Sequence, residues 1–122
     1  MTALENPESL KLTYLLPEIV HSINEKLKID NRRDLLKQVE DLSIACLCEC
    51  GDENCGSFYT IDPSETKDDQ IKHEGISTNL GLIEVYDGKI GFIEIMPSEI
   101  GKQIRNKIVM TMKNDDEDKE KD

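Results

Sequence analysis

Apolar residues recur along the chain in two rhythms, and the change of rhythm divides it. Ile19, Val20, Ile23 and Leu27 stand at i, i+1, i+4 and i+8, the spacing of one helix stripe. Leu35, Leu36, Val39 and Leu42 form a second inner face, and Asp30 is placed to cap the helix that carries it. Upstream, Asn6-Pro7 reads as a cap and first-turn proline for a short helix through Leu10 and Leu15, although Leu10, Leu12 and Tyr14 also alternate as a strand would. Pro17 interrupts either one. His21 lies beside the first stripe and reads as a packed or half-exposed side chain rather than a ligand.

From Ser43 onward the period becomes two. Leu80 to Met96 consists of two β-rich runs about Asp87-Gly88, the signature of a two-residue hairpin turn. The simple register pairs Tyr86 with Lys89, Val85 with Ile90 and Ile83 with Phe92. Ile83, Val85, Ile90 and Phe92 then share one face, and Leu80, Leu82, Ile93 and Ile95 the other. A hairpin apolar on both faces is expected to be central, or to have one face covered by a partner. Glu84 and Glu94 would interrupt opposite faces as charges that discourage aggregation. Pro97 starts a last helix with Ile100, Ile104 and Ile108 inward, and Gly101 costs that helix some stability. From Lys113 the chain has no apolar residue and is expected to be a solvated, disordered acidic tail. The fold class predicted is α+β: N-terminal helices packed on a small antiparallel sheet of two hairpins, then a C-terminal helix. It forms a single domain over residues 1–112, with the tail over residues 113–122.

A chain of 122 residues with 37% hydrophobic residues can build one modest core, and with two phenylalanines, three tyrosines and no tryptophan that core must be aliphatic. The net charge of −11, from 26 acids against 15 bases, argues against nucleic acid or an anionic membrane as partner, because phosphate binding needs a basic footprint. It suits a protein partner with a basic surface. No basic leader and no apolar run of spanning length is present, so a cytoplasmic, reducing setting is the expectation.

The candidate chemistry lies in Ser43 to Ile61, where all four cysteines fall within ten residues. If Ser43 to Cys50 is a strand, Cys46, Cys48 and Cys50 point to one face. A four-residue loop at Gly51-Asp52-Glu53-Asn54 sets Cys50 opposite Cys55, and the register continues to Cys48 with Ser57, Leu47 with Phe58 and Cys46 with Tyr59. Three readings of that face compete. Cys48, Cys50 and Cys55 can hold zinc as thiolates with His73 or Cys46 as fourth ligand, although C-x-C on an extended strand separates its Cα atoms by about 6.6 Å, and Cys50 must then leave strand geometry at Gly51. A Cys50–Cys55 disulfide is easy across a hairpin, but nothing points to an oxidising compartment. The plain alternative is a set of reduced, buried core thiols.

Asp62 to Asn79 is an eighteen-residue stretch with little periodicity, and a connection of that length marks a first candidate contact surface. Its Asp68, Asp69, His73 and Glu74, with Asp52 and Glu53 of the cysteine loop, are the candidate partner-binding residues. Cys48-x-Cys50-Gly51-x₃-Cys55-x₂-Phe58-Tyr59-Thr60, followed by His73 and the Asp87-Gly88 hairpin, resembles a group of small bacterial proteins of uncharacterised function that share a C-x-C-G-x₃-C-x₂-F-Y-T motif. The resemblance spans about Leu47 to Ile95 and groups the thiols with His73 without implying an activity.

No phosphate-cradling glycine loop or distinct carboxylate pair stands out, so catalysis is not expected. The first functional reading is an acidic protein-binding module that caps a partner, as immunity proteins, antitoxins and phage anti-defence inhibitors do. The second is a zinc-stabilised structural or sensing domain. A thiol redox protein comes third, disfavoured by the lack of C-x-x-C.

Overall fold

The Asp87-Gly88 turn forms as the dipeptide dictates, with both residues at positive φ, 52° and 82°. It joins β4 (Gly81–Tyr86) to β5 (Lys89–Ile95), with Tyr86 opposite Lys89 and Val85 opposite Ile90. The ladder then slips by one residue between Glu84 and Val85, so Ile83 lies opposite Ile93 and Glu84 opposite Phe92. This bulge corrects the simple register. Ile83, Val85, Ile90, Ile93 and Ile95 all fall on one buried face, each no more than 6% exposed. The opposite face receives Leu82, Phe92, Glu84 and Glu94. The hairpin is therefore apolar on one side, not two, and its two glutamates share a face.

The structure, a computed structural model, describes residues 10–67 and 70–121, with the backbone alone from residue 114. The remaining elements are α1 (Leu12–Leu15), α2 (Pro17–Ile29), α3 (Arg33–Leu36), β1 (Cys46–Leu47), β2 (Phe58–Tyr59), β3 (His73–Ser77) and α4 (Ser98–Lys121), with 3₁₀ turns at Val39–Asp41 and Pro63–Thr66. The fold is α+β. One antiparallel sheet runs β1-β2-β5-β4-β3, and β2 joins the two hairpins by setting Phe58 opposite Ile93 and Tyr59 opposite Phe92. The acidic tail expected to be disordered over residues 113–122 falls within α4 as far as Lys121, its side chains from residue 114 lying outside the described residues, as does the Asn6-Pro7 start.

The helices cover the face made by Phe58, Ile93, Ile83 and Ile76. Leu12, Ile23, Leu27, Leu35, Val39, Ile104 and Ile108 join those side chains in one core cluster. Phe58, fully buried at its centre, is the kind of side chain whose truncation costs about 3–5 kcal/mol. The stripe Ile19, Val20, Ile23 and Leu27 on α2 is buried as its spacing predicts.

Asp30 does not begin the next helix; it ends α2. Asn31 takes φ 56°, its amide bonds to the Lys28 carbonyl at 3.1 Å, and the Arg32 amide bonds to the Leu27 carbonyl at 2.8 Å. That pair of bonds is a Schellman C-cap, in which asparagine serves where glycine is commoner. The following helix shrinks to the four residues of α3, and Leu35, Val39 and Leu42 reach the core from a turn-rich segment instead.

The stretch from Asp62 to Asn79 is also more ordered than its composition predicts. Asp62 caps the Pro63–Thr66 turn by accepting the Ser64 amide at 2.9 Å, and residues 73–77 form the edge strand β3. Only Ile76 of β3 is buried, which is why the segment carries almost no strand periodicity. Among the described residues no helix is long and apolar enough to cross a membrane.

Candidate metal centre

The hairpin β1–β2 has the expected register: Cys46 lies opposite Tyr59, Leu47 opposite Phe58, and the Cys48 amide bonds to the Ser57 carbonyl at 3.0 Å. Pairing stops there, before Cys50 can become a strand residue. The chain turns at Glu49-Cys50, passes Gly51 at φ 78°, and turns again where the Asp52 carbonyl accepts the Cys55 amide at 3.0 Å. An Asx turn fixes the second bend, with Asp52 Oδ1 accepting the Asn54 amide at 2.8 Å. Two turns in succession gather what an extended C-x-C would hold apart. The Sγ atoms of Cys48, Cys50 and Cys55 all lie within 4.8 Å of one another.

All four cysteines are free thiols, and none is buried: Cys46, Cys48 and Cys55 are half-buried and Cys50 is exposed. The reading of buried core thiols fails on that placement. Burial pushes the Cys48 thiol up to about 11, with the neighbouring thiols of Cys50 and Cys55 adding to the shift and the Cys50 amide opposing it. Cys50 shifts the other way. The amide of Asp52, followed by the thiols of Cys55 and Cys48, holds Cys50 below the usual thiol range. Cys46 is raised, by burial first and then by the charges of Glu49 and Asp62. The loop therefore offers one sulfur exposed at the surface and two half-buried beside it, with backbone amides directed at the sulfurs of Cys48 and Cys50.

Support comes from α4. Gly56 and Gly101 meet backbone to backbone, since a Cβ on Gly56 would stand 2.5 Å from the Gly101 carbonyl oxygen. The glycine that weakens the helix on paper is what lets the cysteine loop lie on it. Sequence reasoning missed this partner, and the available signal was a glycine inside an otherwise regular isoleucine stripe.

His73 is not brought to the sulfurs. It sits on β3, the edge opposite β1, where its Nε2 lies 3.1 Å from Glu84 Oε1 and its ring stacks on Tyr86 with centroids 4.8 Å apart. Tyr86 donates to the same Glu84 oxygen at 2.6 Å, and its phenol is held well above the usual range, first by burial and then by Glu84. Cys46 stays outside the sulfur group, on β1 beside Tyr59. Of the candidate partner-binding residues, Asp52 and Glu53 are exposed at the tip of the thiol loop. Glu74 is taken up by a bidentate pair with Arg32, whose guanidinium holds its carboxyl below the usual carboxylate range. Asp68 and Asp69 lie outside the described residues.

Chemically, three convergent sulfurs can hold a metal ion, and thiolates favour zinc and softer cations. A tetrahedral zinc with bonds of about 2.3 Å needs sulfurs about 3.8 Å apart, a spacing compatible with three sulfurs that lie within 4.8 Å of one another. Comparison with known protein families, curated proteins and solved structures returns no match for this chain.

Proposed function

We propose that this chain is a zinc-stabilised binding domain in which Cys48, Cys50 and Cys55 hold the metal, and the loop so fixed presents Asp52 and Glu53 to a partner protein with a basic surface. The observation that carries the reading is the convergence of three sulfurs within 4.8 Å at the surface. Free core cysteines have no reason to be gathered by two turns and left half-exposed. Zinc would act here as a staple, closing a loop that β1 and β2 pair over only two residues each. The role is binding rather than catalysis: a thiol nucleophile needs a base within reach, and His73 is engaged with Glu84 across the sheet. Protein purified without chelator should carry one equivalent of zinc, lost on Cys50→Ser along with thermal stability. A variant with all four cysteines changed to serine that folds as stably as the native chain would remove the reading.

A second reading, a metal-free acidic inhibitor of the immunity, antitoxin or anti-defence type, draws its support from the net charge of −11 and the exposed acids of the loop tip. Binding to a partner that weakens as salt rises and survives chelation would favour it.

A further inference from the structure

The sulfurs supply three corners of a tetrahedron, and among the described residues no fourth side chain completes it. Among the described residues no further cysteine, histidine or carboxylate joins Cys48, Cys50 and Cys55. Four of the other candidate donors are held elsewhere. Asp52 accepts the Asn54 amide, Glu49 faces Lys67 at 3.4 Å, His73 is held by Glu84, and Cys46 remains in its strand. Cys50 is exposed, so the group lies where a donor from outside can reach it.

Resting on the zinc reading, we propose that the metal keeps one exchangeable coordination position and that this position takes a neutral nitrogen donor, an imidazole, from outside the chain. Charge selects the donor. A divalent ion with three thiolates already carries a single net negative charge, and the same loop forms an acidic rim of exposed carboxylates, Asp52, Glu53 and Glu49, the last facing Lys67. A fourth thiolate or a carboxylate would add another negative charge to that rim, whereas imidazole adds none. A lysine amine is protonated near neutral pH and cannot bind a metal. The partner surface that satisfies both the metal and the rim therefore carries a histidine among basic residues.

The test uses the full chain, reduced and under anaerobic conditions, loaded with Co²⁺, whose visible bands report the donor set. One equivalent of cobalt should bind with the bands of a tetrahedral thiolate site. Titrated imidazole should shift those bands saturably, and Cys46→Ser should leave both the starting spectrum and the shift unchanged. Bands indifferent to imidazole, or a starting spectrum altered by Cys46→Ser, would mean the fourth position is filled from within and would overturn the proposal. Tighter binding of 2-mercaptoethanol than of imidazole would overturn the choice of a neutral donor. A folded chain that binds no cobalt would instead bring down the zinc reading, and this inference with it.

Discussion

Gly56 and Gly101 touch through their backbones, one in the returning leg of the cysteine loop and the other in the second turn of α4, and neither has room for a Cβ. This contact couples the thiol loop to the C-terminal helix and turns a poor helix residue into a structural requirement. Glycine to alanine inside an exposed helix ordinarily adds about 0.5–1 kcal/mol of stability. Gly101→Ala should do the reverse here, destabilising by about 1–3 kcal/mol as overpacking does. It should also weaken metal binding, because Asn54 and Gly56, the residues displaced, flank Cys55. Denaturant midpoints and zinc competition would read the two effects, and a stabilised variant would contradict the contact.

Gln38 clamps the hairpin turn with both ends of its amide. Its nitrogen donates to the Gly88 carbonyl at 2.8 Å, and its oxygen accepts the Ile90 amide at 3.0 Å. Gln38→Ala should cost about 1–2 kcal/mol, since it removes these two modest bonds and a longer third from the same nitrogen to the Asp34 carbonyl at 3.2 Å. Hydrogen exchange at the Ile90 amide should accelerate beyond the change in global stability, since that amide loses its acceptor.

Arg32 ties the α2–α3 connection to the sheet edge through Glu74 and also pairs with Asp34. Both carboxyls are held below their usual range, with hydrogen bonds from Arg32 as the leading cause. A lowered folded-state pKa contributes stability that is present above the ordinary carboxylate pKa of about 4 and is lost as pH falls through the depressed value. Arg32→Met should therefore flatten the acid limb of the stability profile. The Arg32 side chain is 27% exposed and that of Glu74 41%, so the loss near neutral pH should be about 1 kcal/mol or less. Unfolding midpoints at about pH 7 and about pH 3 would show it, and equal acid sensitivity in both proteins would discount the pair.

Tyr86 should ionise only well above the usual phenol range, because burial and the Glu84 carboxylate both oppose the phenolate. Glu84→Gln removes the charge but leaves the burial. Ultraviolet titration should then place this tyrosine lower than in the native chain yet still above an exposed phenol. An unchanged titration would show that the Tyr86–Glu84 bond is not formed in solution.

Where neighbours in sequence are also the neighbours that matter, the chain could be read directly. The α2 stripe, the Asp87-Gly88 turn and the pairing of Leu47 with Phe58 each depend on period and turn chemistry within a few residues, and each appears as written. The β4–β5 register failed after two pairs from its turn, because a bulge is favoured by the face it buries rather than by the dipeptide that starts the hairpin. β3 escaped notice for a related reason: an edge strand with one buried residue owes its pairing to β4, not to its own pattern.

The amino-acid sequence by itself determined that this is an aliphatic-cored α+β chain with four clustered cysteines and an acidic surface, since composition and short-range periodicity settle which surfaces must leave water. Which cysteines converge, and which histidine stands apart from them, only the tertiary structure decided. Convergence depends on two tight turns braced against a glycine 45 residues downstream of Gly56, and His73 was taken to the far edge by the order of strands in the sheet. Contacts between segments so far apart in sequence leave no local pattern to read.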